Sequence, residues 1–197
     1  LLAVNQGSFH DSAFIIMEYK NNPESKDHVV LVGKGVTFDT GGLCLKPANK
    51  MHEMKSDMAG AASVMGTIYA ALLLKLKVNL TVIIPATDNA IDARSYRPGD
   101  VFKSYSGETV EVVNTDAEGR LILADALAYA EKKLNPTVLI DIATLTGAVS
   151  IALGGEITGI LSEDDLLAQE IISSGYETGE HVWRLPLYKN YRKSLDS

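Results

Sequence analysis

Three short apolar runs limit what this chain can fold into: VVLV at 29–32, LTVIIP at 80–85 and TVLIDI at 137–142. They are dominated by β-branched and other apolar side chains with almost no polar alternation, so each reads as a strand covered on both faces. Between them lie helical segments. Residues 57–75 carry the small residues Ala59, Gly60, Ala61, Ala62, Ser63 and Gly66, which predicts a helix packed closely on the sheet. Residues 118–132 form a second, nearly all-apolar helix, stopped by Asn135-Pro136. A strand at 14–19 precedes this pattern. A loop and short helix at 143–155, a strand at 157–161 and an amphipathic helix at 164–174 follow it. Strands alternating with helices predict an α/β fold, a three-layer α/β/α sandwich with a mostly parallel central sheet, in a single domain.

Charge and cysteine usage narrow the function. A net charge of -7 leaves no basic footprint for nucleic acid or an anionic membrane. The lone Cys44 excludes an internal disulfide framework and suits a reducing compartment; its simplest reading is a small buried hydrophobe. No apolar run reaches membrane-spanning length, and LLAVNQGS lacks the pattern of a signal peptide. With no initial methionine and a polar end, the chain is expected to be cut from a longer protein at both ends.

Familiar catalytic patterns are missing. The glycine-dense stretch GKGVTFDTGG after the second strand lacks both phosphate-loop signatures. His10, His28, His52 and His181 are scattered, no G-x-S-x-G elbow occurs, and Cys44 has no sequence sign of an activating base. What remains are polar groups that follow strands or open helices: Lys34, Asp39, Asp57, Asp116 and Glu118. Asp116, Glu118 and Arg120 stand at alternate positions where the β-branched run at 110–113 turns into the second helix, so both carboxylates can converge. Each also has a structural explanation. Asp57 can be an N-cap, Thr115-x-x-Glu118 a capping box, and Arg120 a partner for Asp116. If the acids meet at the carboxyl edge of the sheet, two of them about 4 Å apart repel by roughly 4 kcal/mol at an effective dielectric near 20. Four need cations. Two divalent ions would balance them with Lys34 as a neutral amine, and oxygen-rich ligands favour magnesium, manganese or zinc.

VGKGVTFDTGG, MKSDMAGAA and NTDAEGRLILADAL, together with ATLTGA and VWRLPL, resemble the leucyl aminopeptidases of peptidase family M17. The resemblance implies a dinuclear metalloexopeptidase that hydrolyses the N-terminal peptide bond of peptides through a metal-activated water, preferring leucine-like residues. It makes Lys34, Asp39, Asp57, Asp116 and Glu118 the metal ligands. Asp39 and Glu118 would bridge, Lys34 and Asp57 would serve one ion, and Asp116 the other. Lys46 matches the catalytic lysine that stabilises the oxyanion, and Arg120 the arginine that holds a bicarbonate. Met54, Asn114, Ala117, Thr144, Leu145 and Gly147 match or adjoin the side-chain pocket. Residues 1–197 would be the major part of the C-terminal catalytic domain, without the family's N-terminal domain, and the full-length protein a cytoplasmic homohexamer. Two other readings stand beside this one. Carboxylate clusters also serve two-metal phosphoesterases, and some bacterial relatives bind DNA.

Overall fold

The computed structural model describes residues 1–195, so the last two positions of the expected domain lie outside it. The chain divides into two compact units, 1–145 and 146–197. The first unit is built on β1 (Ala13–Lys20), β2 (Val29–Gly33), β3 (Gly35–Asp39), α1 (Ala59–Leu73) and β4 (Asn79–Asn89). A small antiparallel hairpin, β5 (Val101–Lys103) and β6 (Thr109–Glu111), leads to α2 (Glu118–Leu134) and β7 (Val138–Ile142). The second unit holds α3 (Gly147–Leu153), β8 (Thr158–Ile160), α4 (Asp165–Thr178) and β9 (Val182–Arg184), with β8 and β9 paired in parallel.

The central sheet runs β1-β4-β2-β7, with β3 also on β4. Only β1 is antiparallel, so the sheet is mostly parallel as expected. Alternate side chains send Leu31, Leu80, Val82 and Ile84 to one face against Ala61, Val64 and Ala71 of α1. Val30, Val32 and Ile83 go to the other, against Leu123, Ala126 and Ala130 of α2. Period-two strands with both faces apolar thus dictate a helix on each side. The stop at Asn135 is a left-handed residue, φ 45°, followed by proline, with Lys132 and Lys133 complementing the negative end of the helix dipole.

Two expectations change. The run at 110–113 does not form a strand of the central sheet; residues 109–111 belong to the hairpin with β5. The strand at 80–85 continues through Pro85 to Asn89. Proline has no N–H to give. The carbonyls of Thr87 and Asn89 point to β3 and Thr40, so strand alternation aims Pro85's missing donor the same way. There the facing strand is itself broken. By the register on either side, Pro85 lies level with Lys34, the residue between β2 and β3. No helix among the described residues is long and apolar enough to cross a membrane.

Candidate metal centre

The break at Lys34 builds the site. Its amide donates to the Ile142 carbonyl (3.0 Å), while its carbonyl accepts from the amide of Ala61 (3.0 Å) in the first turn of α1. That bond satisfies a helix-terminal donor that no side-chain cap serves. The approach is possible because Gly60 has no side chain: a Cβ there would lie 2.0 Å from the Ile142 carbonyl oxygen. The small-residue stripe expected to bring this helix onto the sheet does so here.

Lys34 itself is buried, at 2% exposure. Its Nζ lies 2.8 Å from each oxygen of Asp57 and 2.9 Å from Glu118 Oε1. It also donates to the Thr144 carbonyl (3.1 Å). The lysine stem passes over Gly119, where a Cβ would stand 2.7 Å from Cε. A second lysine closes the other side: Lys46 Nζ is 2.8 Å from Asp39 Oδ2 and 2.5 Å from Asp116 Oδ1. The loop that carries it turns at Gly41 and Gly42, both with positive φ. Thr115 ties it down, donating to the Gly41 carbonyl and accepting from the Cys44 amide.

Four carboxylates therefore face two ammonium groups, and the cluster stays acidic. Oxygens of Asp39, Asp57 and Glu118 come within 4.8 Å of one another, all three residues buried. Burial pushes the Glu118 carboxyl up to about 7; Lys34 opposes this, and the charges of Asp39 and Asp57 add to it. Asp57 is raised for the same first reason. Burial disfavours the Lys34 ammonium, yet the Glu118 and Asp57 carboxylates outweigh it and hold the lysine pKa above its ordinary value. The same contest, settled by Asp116 and Asp39, raises Lys46. Asp57 Oδ2, Asp116 Oδ1 and Glu118 Oε2 are buried without a hydrogen-bond partner; the first two lie within ion-pair distance of a lysine. Buried oxygens with unused lone pairs on an acidic cluster fit divalent cations.

Asp57 ends a 3-10 turn (Met51–Ser56) and does not N-cap α1, which has no side-chain cap. The capping box is absent, since Thr115 serves the glycine loop. Arg120 is exposed and its side chain makes no salt bridge or hydrogen bond among the described residues, so the pair with Asp116 is absent too. Of the expected pocket residues, Thr144 donates its hydroxyl to Asp57 (2.8 Å) and Leu145 Cδ1 stands 3.1 Å from the position a Gly119 Cβ would take. Asn114 accepts from the Asp116 amide as a cap (2.8 Å). Met54 and Ala117 are half-buried, Met54 in the turn before Asp57 and Ala117 immediately before Glu118. Gly147 opens α3 in the second unit. Sequence reasoning missed Asn89 and Tyr96. Asn89 is fully buried and donates to Asp39 Oδ1 (2.8 Å) and the Thr115 carbonyl (3.1 Å). Tyr96, 1% exposed, donates to that same carbonyl (2.5 Å). The one usable signal was a buried-type strand whose polar end, TDN, continues past the proline.

A mostly parallel α/β sheet with carboxylates and lysines gathered beside its break at Lys34, three of the carboxylates buried, defines a candidate metal site. The chain belongs to the cytosol aminopeptidase family, whose catalytic-domain model matches residues 1–197. It is 60% identical over 197 residues to a probable cytosol aminopeptidase of Protochlamydia amoebophila, covering all of this chain and 40% of that protein. A probable cytosol aminopeptidase of Chlorobium phaeobacteroides is 55% identical over the same span and is covered to 39%. The crystal structure of cytosol aminopeptidase from Coxiella burnetii superimposes with a TM-score of 0.93 at 45% identity, over 99% of this chain and 42% of that one. The chain thus spans about two fifths of the length of these relatives.

Proposed function

We propose that this chain is the catalytic core of a metal-dependent aminopeptidase that releases leucine-like N-terminal residues from peptides. The observation that carries the reading is the cluster of four carboxylates and two lysines, with Lys34, Asp39, Asp57 and Glu118 buried, in a chain of this family. Two divalent ions, manganese or zinc with magnesium as a third candidate, would be held by Lys34, Asp39, Asp57, Asp116 and Glu118 and would supply Lewis acidity. Lys34 would give up its Nζ proton to serve as an amine ligand. Lys46, kept protonated by its surroundings, would donate from Nζ to the scissile carbonyl oxygen as negative charge develops there. Arg120, with no protein partner among the described residues, would hold a bicarbonate through its paired N–H donors. Met54, Asn114, Ala117, Thr144 and Leu145 would receive the first side chain. The full-length protein would work as a cytoplasmic homohexamer.

The test is metal content measured alongside hydrolysis of leucine p-nitroanilide by the full-length protein, with added manganese or zinc. Two ions per chain and chelator-sensitive release of product are expected. Bound metal without turnover would favour a phosphoester substrate, and no metal at all would end the reading.

A further inference from the structure

The side chain of Asn89 spends both of its donors on the cluster's framework. Nδ2 donates to Asp39 Oδ1 (2.8 Å) and to the Thr115 carbonyl (3.1 Å). Its backbone carbonyl accepts from the amide (3.0 Å) and the hydroxyl (2.7 Å) of Thr40. Four bonds from one residue thus fasten the chain beside Asp39 to the chain beside Asp116. The amide cannot be turned over, because that would set Oδ1 against a carboxylate and a carbonyl, neither of which donates. The Gly41 amide donates to the same Asp39 Oδ1 (2.9 Å). With Oδ1 held by Asn89 and Gly41, Oδ2 is the oxygen left facing the cluster, 2.8 Å from Lys46 Nζ. Tyr96 gives the Thr115 carbonyl its second donor. Burial and the surrounding carboxylates push its phenol well above the ordinary value, so it stays a donor.

We infer that Asn89 is a positioning residue: it aims one oxygen of Asp39 into the cluster and fixes Asp39 relative to Asp116, with Tyr96 as its support. The inference rests on the metal reading above. Groups that orient ligands in this way carry roughly 10- to 100-fold in metal affinity or activity.

The experiment is calorimetric titration of the chelated full-length protein with Mn²⁺, comparing wild type, Asn89→Leu, Asn89→Asp and Tyr96→Phe, with the melting temperature of each metal-free protein. Asn89→Leu and Asn89→Asp are expected to weaken at least one Mn²⁺ binding step by roughly 10- to 100-fold. Excess Mn²⁺ should restore part of the lost turnover. Tyr96→Phe should show a smaller loss in the same step, because Thr115 keeps the bond from Asn89; should the Asn89 variants fail to fold, this milder variant still decides. Lower melting temperatures with wild-type Mn²⁺ affinity would overturn the inference and leave Asn89 a purely structural residue. A wild-type protein that takes up no Mn²⁺ would overturn the metal reading and this inference together.

Discussion

Glu118 shows how much of the site's chemistry is set at one residue. It opens α2, it is 1% exposed, and only one of its oxygens meets Lys34. Its carboxyl titrates near 7 in the fold, against 4.5 for the free side chain. Between those values the folded state holds a proton that the unfolded chain has released, so this group's contribution to stability falls as pH rises through the window. Asp57, shifted in the same direction, adds to that slope. In chelated protein, wild type should lose up to ~3 kcal/mol relative to Glu118→Gln between pH 4.5 and 7. Urea denaturation across that range measures it, and parallel profiles for the two proteins would count against the buried, desolvated carboxyl. The identities of the five clustered ligand candidates were legible in the residues themselves, as polar groups stranded beside apolar runs. Their partners were not. That Lys46 reaches Asp39 and Asp116, or that Asn89 is buried beneath them, depends on the turn of the 40–46 loop and on the full length of β4. Local patterns encode neither.

At the scale of elements, the decisive object is the interruption between β2 and β3. A sequence pattern sees Lys34 as a polar residue after a strand, and Pro85 as the end of another. In the fold they are one feature, since the strand lacking a donor at Pro85 faces the strand that turns away at Lys34. The strands and helices themselves were readable because their apolar periods are unambiguous, as VVLV and the 118–132 helix show. The hairpin of β5 and β6 was not legible, because a β-branched run such as 110–113 says nothing about which sheet it joins. Packing of α1 against the break makes a sharp prediction. Gly60→Ala would place a methyl 2.0 Å from the Ile142 carbonyl oxygen, and that neighbour is backbone. The overpacking should cost about 1–3 kcal/mol or more and shift α1 away from Lys34. Thermal unfolding of Gly60→Ala beside Gly66→Ala, where a Cβ would meet nothing within 4 Å, is the comparison. Equal stability of the two would show that α1 does not rest on the sheet at this point.

For the whole molecule, membership of the cytosol aminopeptidase family accounts for the α/β architecture, while the chain represents about two fifths of its relatives' length. Within the first unit, the clustered groups come from positions 34, 39, 46, 57, 116 and 118. No two neighbouring elements suffice to bring them together: the break between β2 and β3, the end of β3, the loop after it and the turn before α1 supply one side, and the turn into α2 the other. Contacts so far apart along the chain are late events, because the intervening loops must close before they can form. A cation captured by such a cluster would act as a brake on the way out of the native state and lend little speed on the way in. Mn²⁺ added to full-length protein should therefore slow unfolding in strong denaturant and leave the refolding rate nearly unchanged. A refolding rate that climbed with Mn²⁺ would place these residues together already at the barrier top. The discontinuity at Lys34 would then be a point of nucleation, around which the sheet grows.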